Sequence, residues 1–200
     1  MMRFRGTFLG RLARDRKGAA LLEFAFVAPA FLTLLFGVLN IGQMVYGKVL
    51  LAGAVAEAAR SSTFETSNTT AADAKVKRVV DDILPGVTIE SKRSSYYDFP
   101  DIARPEKWND NKVKNSTCDA GETYTDENKN GHWDADIGKT GNGSANDVVV
   151  YTVEATYEPL FTIPFAPEKW NQTTLEASAV KKNQPFALQA EYGTSAGSCP

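Results

Sequence analysis

The sequence predicts an α+β chain in which one long amino-terminal helix, apolar enough to cross a membrane, packs on a small antiparallel sheet in an exported head. Three observations carry this. Between Lys17 and Lys48 the sole charged residue is Glu23, and the apolar run of residues 24–39, extended through Tyr46, exceeds the ~20 residues a spanning helix needs. Six basic residues (Arg3, Arg5, Arg11, Arg14, Arg16, Lys17) face only Asp15 ahead of that run, and positive charge beside a first apolar segment keeps that side cytoplasmic. In residues 148–158, Val149, Tyr151, Val153, Ala155 and Tyr157 alternate with Val150, Thr152, Glu154, Thr156 and Glu158, the period of a half-buried strand.

The chain divides into a basic leader (1–18), a transmembrane and stalk helix (19–60) and an exported head (61–200) carrying a polar insertion at about 99–146. Removing the leader's net +5 from the formal −2 of the whole leaves −7 on residues 19–200. That argues against nucleic-acid binding by the head. A helix over residues 19–60 is about 63 Å long at ~1.5 Å per residue, twice a ~30 Å hydrocarbon core. Its second half therefore packs on something outside lipid, and Val49, Ala52, Val55, Ala56 and Ala59 form the expected contact stripe. Pro29 removes one helical hydrogen bond, so a kink or melted turn is expected at residues 25–29. Gly37, Gly42 and Gly47 recur every five residues, which is not a GxxxG face.

Within the head, residues 70–84 read as a second helix with Val76, Val79, Val80 and Ile83 on one face, stopped by Pro85-Gly86. Strands follow at residues 87–91, resuming at Tyr96 and Tyr97, then at 148–158 and at 173–181. In the last, Leu175, Ala177 and Ala179 share a face. Residues 159–165 are apolar and broken by proline, and either cover the core edge or form a partner surface.

Glu23 is the residue that asks for a function. An acid in lipid costs ~2.5–3.5 kcal/mol at the helix centre and less near the interface, so a retained one has a partner or a task. Three fates of the helix are open: a cleaved secretory signal ending near Ala52-Gly53-Ala54, a plain uncleaved anchor, or a segment processed ahead of Glu23. The residues Arg16-Lys17-Gly18-Ala19-Ala20-Leu21-Leu22-Glu23-Phe24 resemble the processing site of type IV prepilins. The continuation through Val27-Ala28-Pro29 into a Leu/Phe-rich run resembles the TadE-like family of pseudopilins from tight-adherence (Flp) pilus systems. The resemblance covers roughly residues 10–60 and returns at Lys182-Asn183-Gln184-Pro185-Phe186, where Gln184 replaces the family's usual acid.

The resemblance implies a pilin-like fold, a prepilin peptidase cutting between Gly18 and Ala19, and a minor pseudopilin or assembly subunit of a type IVb-like pilus. It implies a bacterial inner-membrane protein with a cytoplasmic amino terminus, whose head is periplasmic or extracellular and whose partners are other pseudopilins and the pilus secretion machinery. Gly18, lacking a side chain, suits extended backbone in a protease cleft. The new ammonium of Ala19 would neutralise Glu23 of a neighbouring subunit, with Phe24 beside it, and desolvation makes that pairing conditional on register. The alternative is an uncleaved, membrane-anchored exported binding module with a calcium-stabilised loop.

That loop is Asp126-Glu127-Asn128-Lys129-Asn130-Gly131-His132-Trp133-Asp134-Ala135-Asp136, which fits the first half of an EF-hand-like calcium site. Oxygens at positions 1, 3 and 5 converge, Gly131 permits the turn at 6, His132 offers a carbonyl at 7 and Asp134 an acid at 9. Ile137 stands where the bidentate glutamate belongs, so Asp134, Asp136 or Glu122 must complete the shell; otherwise the segment is a solvated Asn/Asp/Gly turn. The two cysteines, Cys118 and Cys199, pair within the chain or between chains in an exported compartment.

No enzyme is expected. Gly193-Thr194-Ser195-Ala196-Gly197 matches G-x-S-x-G literally, but in a disordered-looking tail with no strand before it or helix after it, and the single histidine, His132, precedes it. There is no GxGxxG or P-loop, and no small-molecule substrate is implied.

Overall fold

The computed structural model describes residues 17–61, 69–110, 114–115, 117–161, 167, 171–185 and 187–200. The basic leader ahead of Lys17, residues 162–165 of the apolar segment and Phe186 of the carboxyl-terminal match lie outside the described residues.

Helix α1 spans Lys17–Ser61 without interruption. The melted turn expected at Pro29 is absent: residues 25–29 are helical, and Thr33 Oγ1 donates to the Pro29 carbonyl at 2.8 Å. One missing N–H does not unwind a helix whose neighbouring turns remain bonded. Between Gly18 and Leu35 every residue except Ala28 is exposed, so α1 stands clear of the head over that stretch. This is the one described helix long and apolar enough to cross a membrane.

The second half carries the head. Helix α2 (Thr69–Asp81) buries Ala72, Val76 and Val80, a one-face i, i+4 row that Leu84 continues. Val79, expected on that face, is 39 % exposed. Strands β1 (Thr88–Tyr96), β2 (Thr123–Asp126), β3 (Lys139–Thr140), β4 (Val148–Tyr157), β5 (Thr173–Lys182) and β6 (Ser195–Ser198) follow. The main sheet has the order β3-β1-β4-β5, antiparallel throughout, and β2 pairs with β6 in a second two-stranded sheet. The fold is thus α+β, with the alternation of β4 obeyed: Tyr151, Val153, Ala155 and Tyr157 enter the core beside Leu175 and Ala177 of β5.

Three expectations are corrected by the packing. Of the expected stripe on α1, Val55 and Ala59 are buried, joined by Leu51 and Ala58, whereas Val49 is 65 % exposed and Ala52 and Ala56 face outward. The larger Leu51 wins the core position, and Gly47 lets Leu84 approach so closely that an added Cβ would lie 3.0 Å from its methyl carbons. Strand β1 runs unbroken through the stretch expected to lapse, because all nine of its residues pair with β4. The tail forms β6, paired residue for residue with β2 from Thr123↔Ser198 to Asp126↔Ser195. Asn183, just after β5, holds the 142–147 turn by donating from Nδ2 to the carbonyls of Asn142 and Ser144 at 2.7 and 2.8 Å.

Candidate functional site

Two places hold the residues singled out by sequence. The first is the start of α1. Gly18 and Ala19 are already helical, not extended, so a peptidase acting there must unwind the first turn; no neighbour within 4 Å obstructs Gly18. Glu23 and Phe24 lie one turn further on, both exposed, Phe24 to 70 %. Among the described side chains Glu23 forms no ion pair. A carboxylate on the bare half of an apolar helix therefore faces outward from the single chain.

The second place is the loop after β2. Asp126 closes that strand and accepts from the backbone N–H of Asn130 (Oδ1, 3.0 Å) and Gly131 (Oδ2, 2.9 Å). Asn128 Oδ1 also accepts from Asn130 N–H, and Asn130 Oδ1 from His132 N–H. Both amide nitrogens, Asn128 Nδ2 and Asn130 Nδ2, donate to Asp134 Oδ2 at 2.7 and 2.5 Å. Gly131, at φ +81°, makes the turn that brings these four side chains together. His132 is exposed.

The two other acids proposed to complete a shell are engaged elsewhere. Asp136 accepts from Tyr96 Oη and Gly138 N–H, each at 3.0 Å, and Glu122 Oε2 accepts from Asp119 N–H beside the disulfide. Ile137 is buried, its N–H given to the Arg104 carbonyl. Among the described residues no group of three or more His, Cys, Asp or Glu side chains is arranged to hold a metal ion; the loop's own donor set is two carboxylates and two amides.

What sequence reasoning missed is Glu106. It is fully buried beneath the loop, with Oε1 accepting from the N–H of Glu127 (2.8 Å) and Asn128 (3.2 Å) and Oε2 from that of Asp134 (3.2 Å). Burial pushes its carboxyl above the usual range, and the nearby Asp126 charge adds to this, against the pull of those three N–H donors. Glu127 beside it is held by Arg104 at 2.5 Å and Lys107 at 2.9 Å. No local pattern announces Glu106, because its partners lie some twenty residues downstream.

The tail closes the arrangement. Gly193 donates its N–H to the Glu127 carbonyl at 2.8 Å, and a Cβ there would stand 1.9 Å from the Asp126 carbonyl oxygen. Cys118 and Cys199 are disulfide-bonded with Cα atoms 5.4 Å apart, and Tyr124, Trp108 and Trp133 pack around them. Ser195 of the G-x-S-x-G match is a β6 residue in register with Asp126.

Comparison with known proteins bears on the first place only. A family model described as TadE-like protein matches residues 18–60, close to the extent of α1. No curated protein and no solved structure matches the chain.

Proposed function

We propose, from the premise that residues 18–60 are a TadE-like segment, that this Tad-pilus-associated membrane protein is a minor pseudopilin or assembly subunit of a tight-adherence pilus. The observation that carries the reading is Glu23, exposed on the half of α1 that has no head packed against it. Such an acid is costly in lipid when alone and much less so when paired. Processing after Gly18 creates the partner: the ammonium of Ala19 on an adjoining subunit, reached only when two helices lie in register. The basic leader stays cytoplasmic in the inner membrane, the head is exported, and the prepilin peptidase is the enzyme of the pathway, this chain having no reaction of its own.

Mass spectrometry of the membrane-extracted protein tests processing. An amino terminus at Ala19 is expected, and an intact Met1 or Met2 overturns the reading in favour of an uncleaved anchored binding module. A Glu23→Gln variant is expected to mature normally yet fail to co-assemble.

The loop after β2 belongs to the same proposal as a structural calcium site. Asp126, Asn128, Asn130 and Asp134, with the His132 carbonyl, are oxygen donors of the kind a hard cation takes. Bound calcium would supply charge neutralisation to a segment too polar to build a core. Calcium is expected to raise the melting temperature, and Asp126→Ala to abolish that rise.

A further inference from the structure

The head meets α1 just past its bare stretch, at Phe36, Asn40 and Gln43. The Phe161 ring stacks on Phe36 with centroids 4.9 Å apart and planes within 3°. Next to it Asn40 holds the Phe161 backbone from both sides, Nδ2 donating to its carbonyl at 2.6 Å and Oδ1 accepting from its N–H at 3.3 Å. One turn further, Gln43 Oε1 accepts from the Leu160 N–H, and Gln43 Nε2 donates to the Ile83 carbonyl at 2.9 Å. Leu160 itself is 61 % exposed.

We infer that residues 160 and 161 dip into the acyl-chain region of the outer leaflet beside α1, forming a second lipid contact of the head. This rests on α1 spanning the membrane. If the ~30 Å hydrocarbon core begins at Ala19, Phe36 lies about 25 Å along it; if it begins just past Glu23, about 18 Å. For either register Phe36 is inside the core, and Phe161, stacked on it, is level with it; Gln43, which holds the Leu160 N–H, lies about 36 or about 28 Å along, so Leu160 stands at the outer margin of the acyl chains.

The polar contacts fit that depth. Irregular backbone is tolerated at hydrocarbon depth only when its N–H and C=O groups find protein partners. Here two side-chain amides, themselves unusual on an apolar helix, supply partners to the Leu160 N–H and to both backbone groups of Phe161. What remains is a leucine side chain left exposed next to a helix whose own apolar residues are exposed. Beside a spanning helix, burial of that side chain in acyl chains removes apolar area from water. The occupant is therefore lipid, and the head is held at a fixed distance from the membrane by two points in place of one.

The test uses the full chain, its disulfide oxidised, in vesicles of phosphatidylethanolamine and phosphatidylglycerol. An environment-sensitive NBD fluorophore is placed singly by Leu160→Cys, Leu32→Cys in α1 and Leu188→Cys, the last on a residue 96 % exposed. The label at 160 is expected to emit to the blue of that at 188, to lose intensity with acyl-chain nitroxide lipids as the label at 32 does, and to resist aqueous iodide. Iodide quenching at 160 equal to that at 188, with 32 still quenched from lipid, overturns the inference and leaves the span standing. Protection at 160 that grows as protein per vesicle rises assigns the patch to a second copy and likewise overturns it. Failure of nitroxide quenching at 32 removes the span and the inference together.

Discussion

Asp73 of α2 ties that helix to the sheet through Arg93. The Arg93 guanidinium donates to Asp73 from Nη1 and Nη2 at 3.2 and 2.6 Å and lies 4.1 Å over the Tyr151 ring, whose hydroxyl also donates to Asp73 at 2.5 Å. Ser91 Oγ adds a fourth bond. One carboxylate thus joins α2, β1 and β4 on the side of the core nearest solvent.

Replacing Asp73 by Ala leaves Arg93, whose side chain is 10 % exposed, beside the Tyr151 ring without its anion. A loss of about 2–3 kcal/mol is expected in urea unfolding. Burial pushes the Asp73 carboxyl up, but bonds from Arg93, Tyr151 and Ser91 with the Arg93 charge outweigh it and hold the carboxyl below its ordinary value. A depressed acid stabilises above its unfolded value and loses that contribution as pH falls through the folded one. The acid limb of a stability–pH curve should accordingly flatten in Asp73→Asn.

Lys181 works at the other end of the scale. It is 7 % exposed on β5, and burial, with the Arg93 charge assisting, brings its ammonium down from 10.5 to about 8. Between those values the unfolded chain binds more protons than the folded one, so stability rises with pH across that window. Raised tyrosines such as Tyr157 and Tyr151 oppose this as pH nears 10, which leaves roughly pH 8 to 9.5 as the useful interval. Denaturant unfolding should show an upward slope there that Lys181→Met removes.

Gly193→Ala probes the closure of the tail on the loop. The obstructing atom is the Asp126 backbone carbonyl, which cannot rotate aside as a side chain would, so the tail must shift and the Glu127 bond is lost. A cost of about 1–3 kcal/mol is expected, with faster amide hydrogen exchange in β6. Gly53→Ala, where nothing lies within 4 Å, is the comparison: helix propensity alone should stabilise it by about 1 kcal/mol. Equal melting temperatures for the two variants would remove the tail from the account of loop stability.

How far local pattern reaches is visible element by element. Residues 17–61 are helical and 148–157 extended because apolar runs and alternation are properties of neighbours in the chain, and periods of 3.6 and 2 write themselves locally. The bare half of α1 with Glu23 on it, the Asp126–Asp134 loop and the candidacy of Cys118 and Cys199 for pairing were legible for the same reason. Tertiary structure alone decided that Leu51 faces the core where Val49 and Ala56 do not, that Glu106 underlies the loop, that residues 195–198 make a strand with β2, and that Phe161 meets Phe36. Each of these is a contact between segments far apart in sequence. Which partner wins there depends on how whole elements fill volume and satisfy buried N–H and C=O groups together, and a helical or strand period carries no record of that.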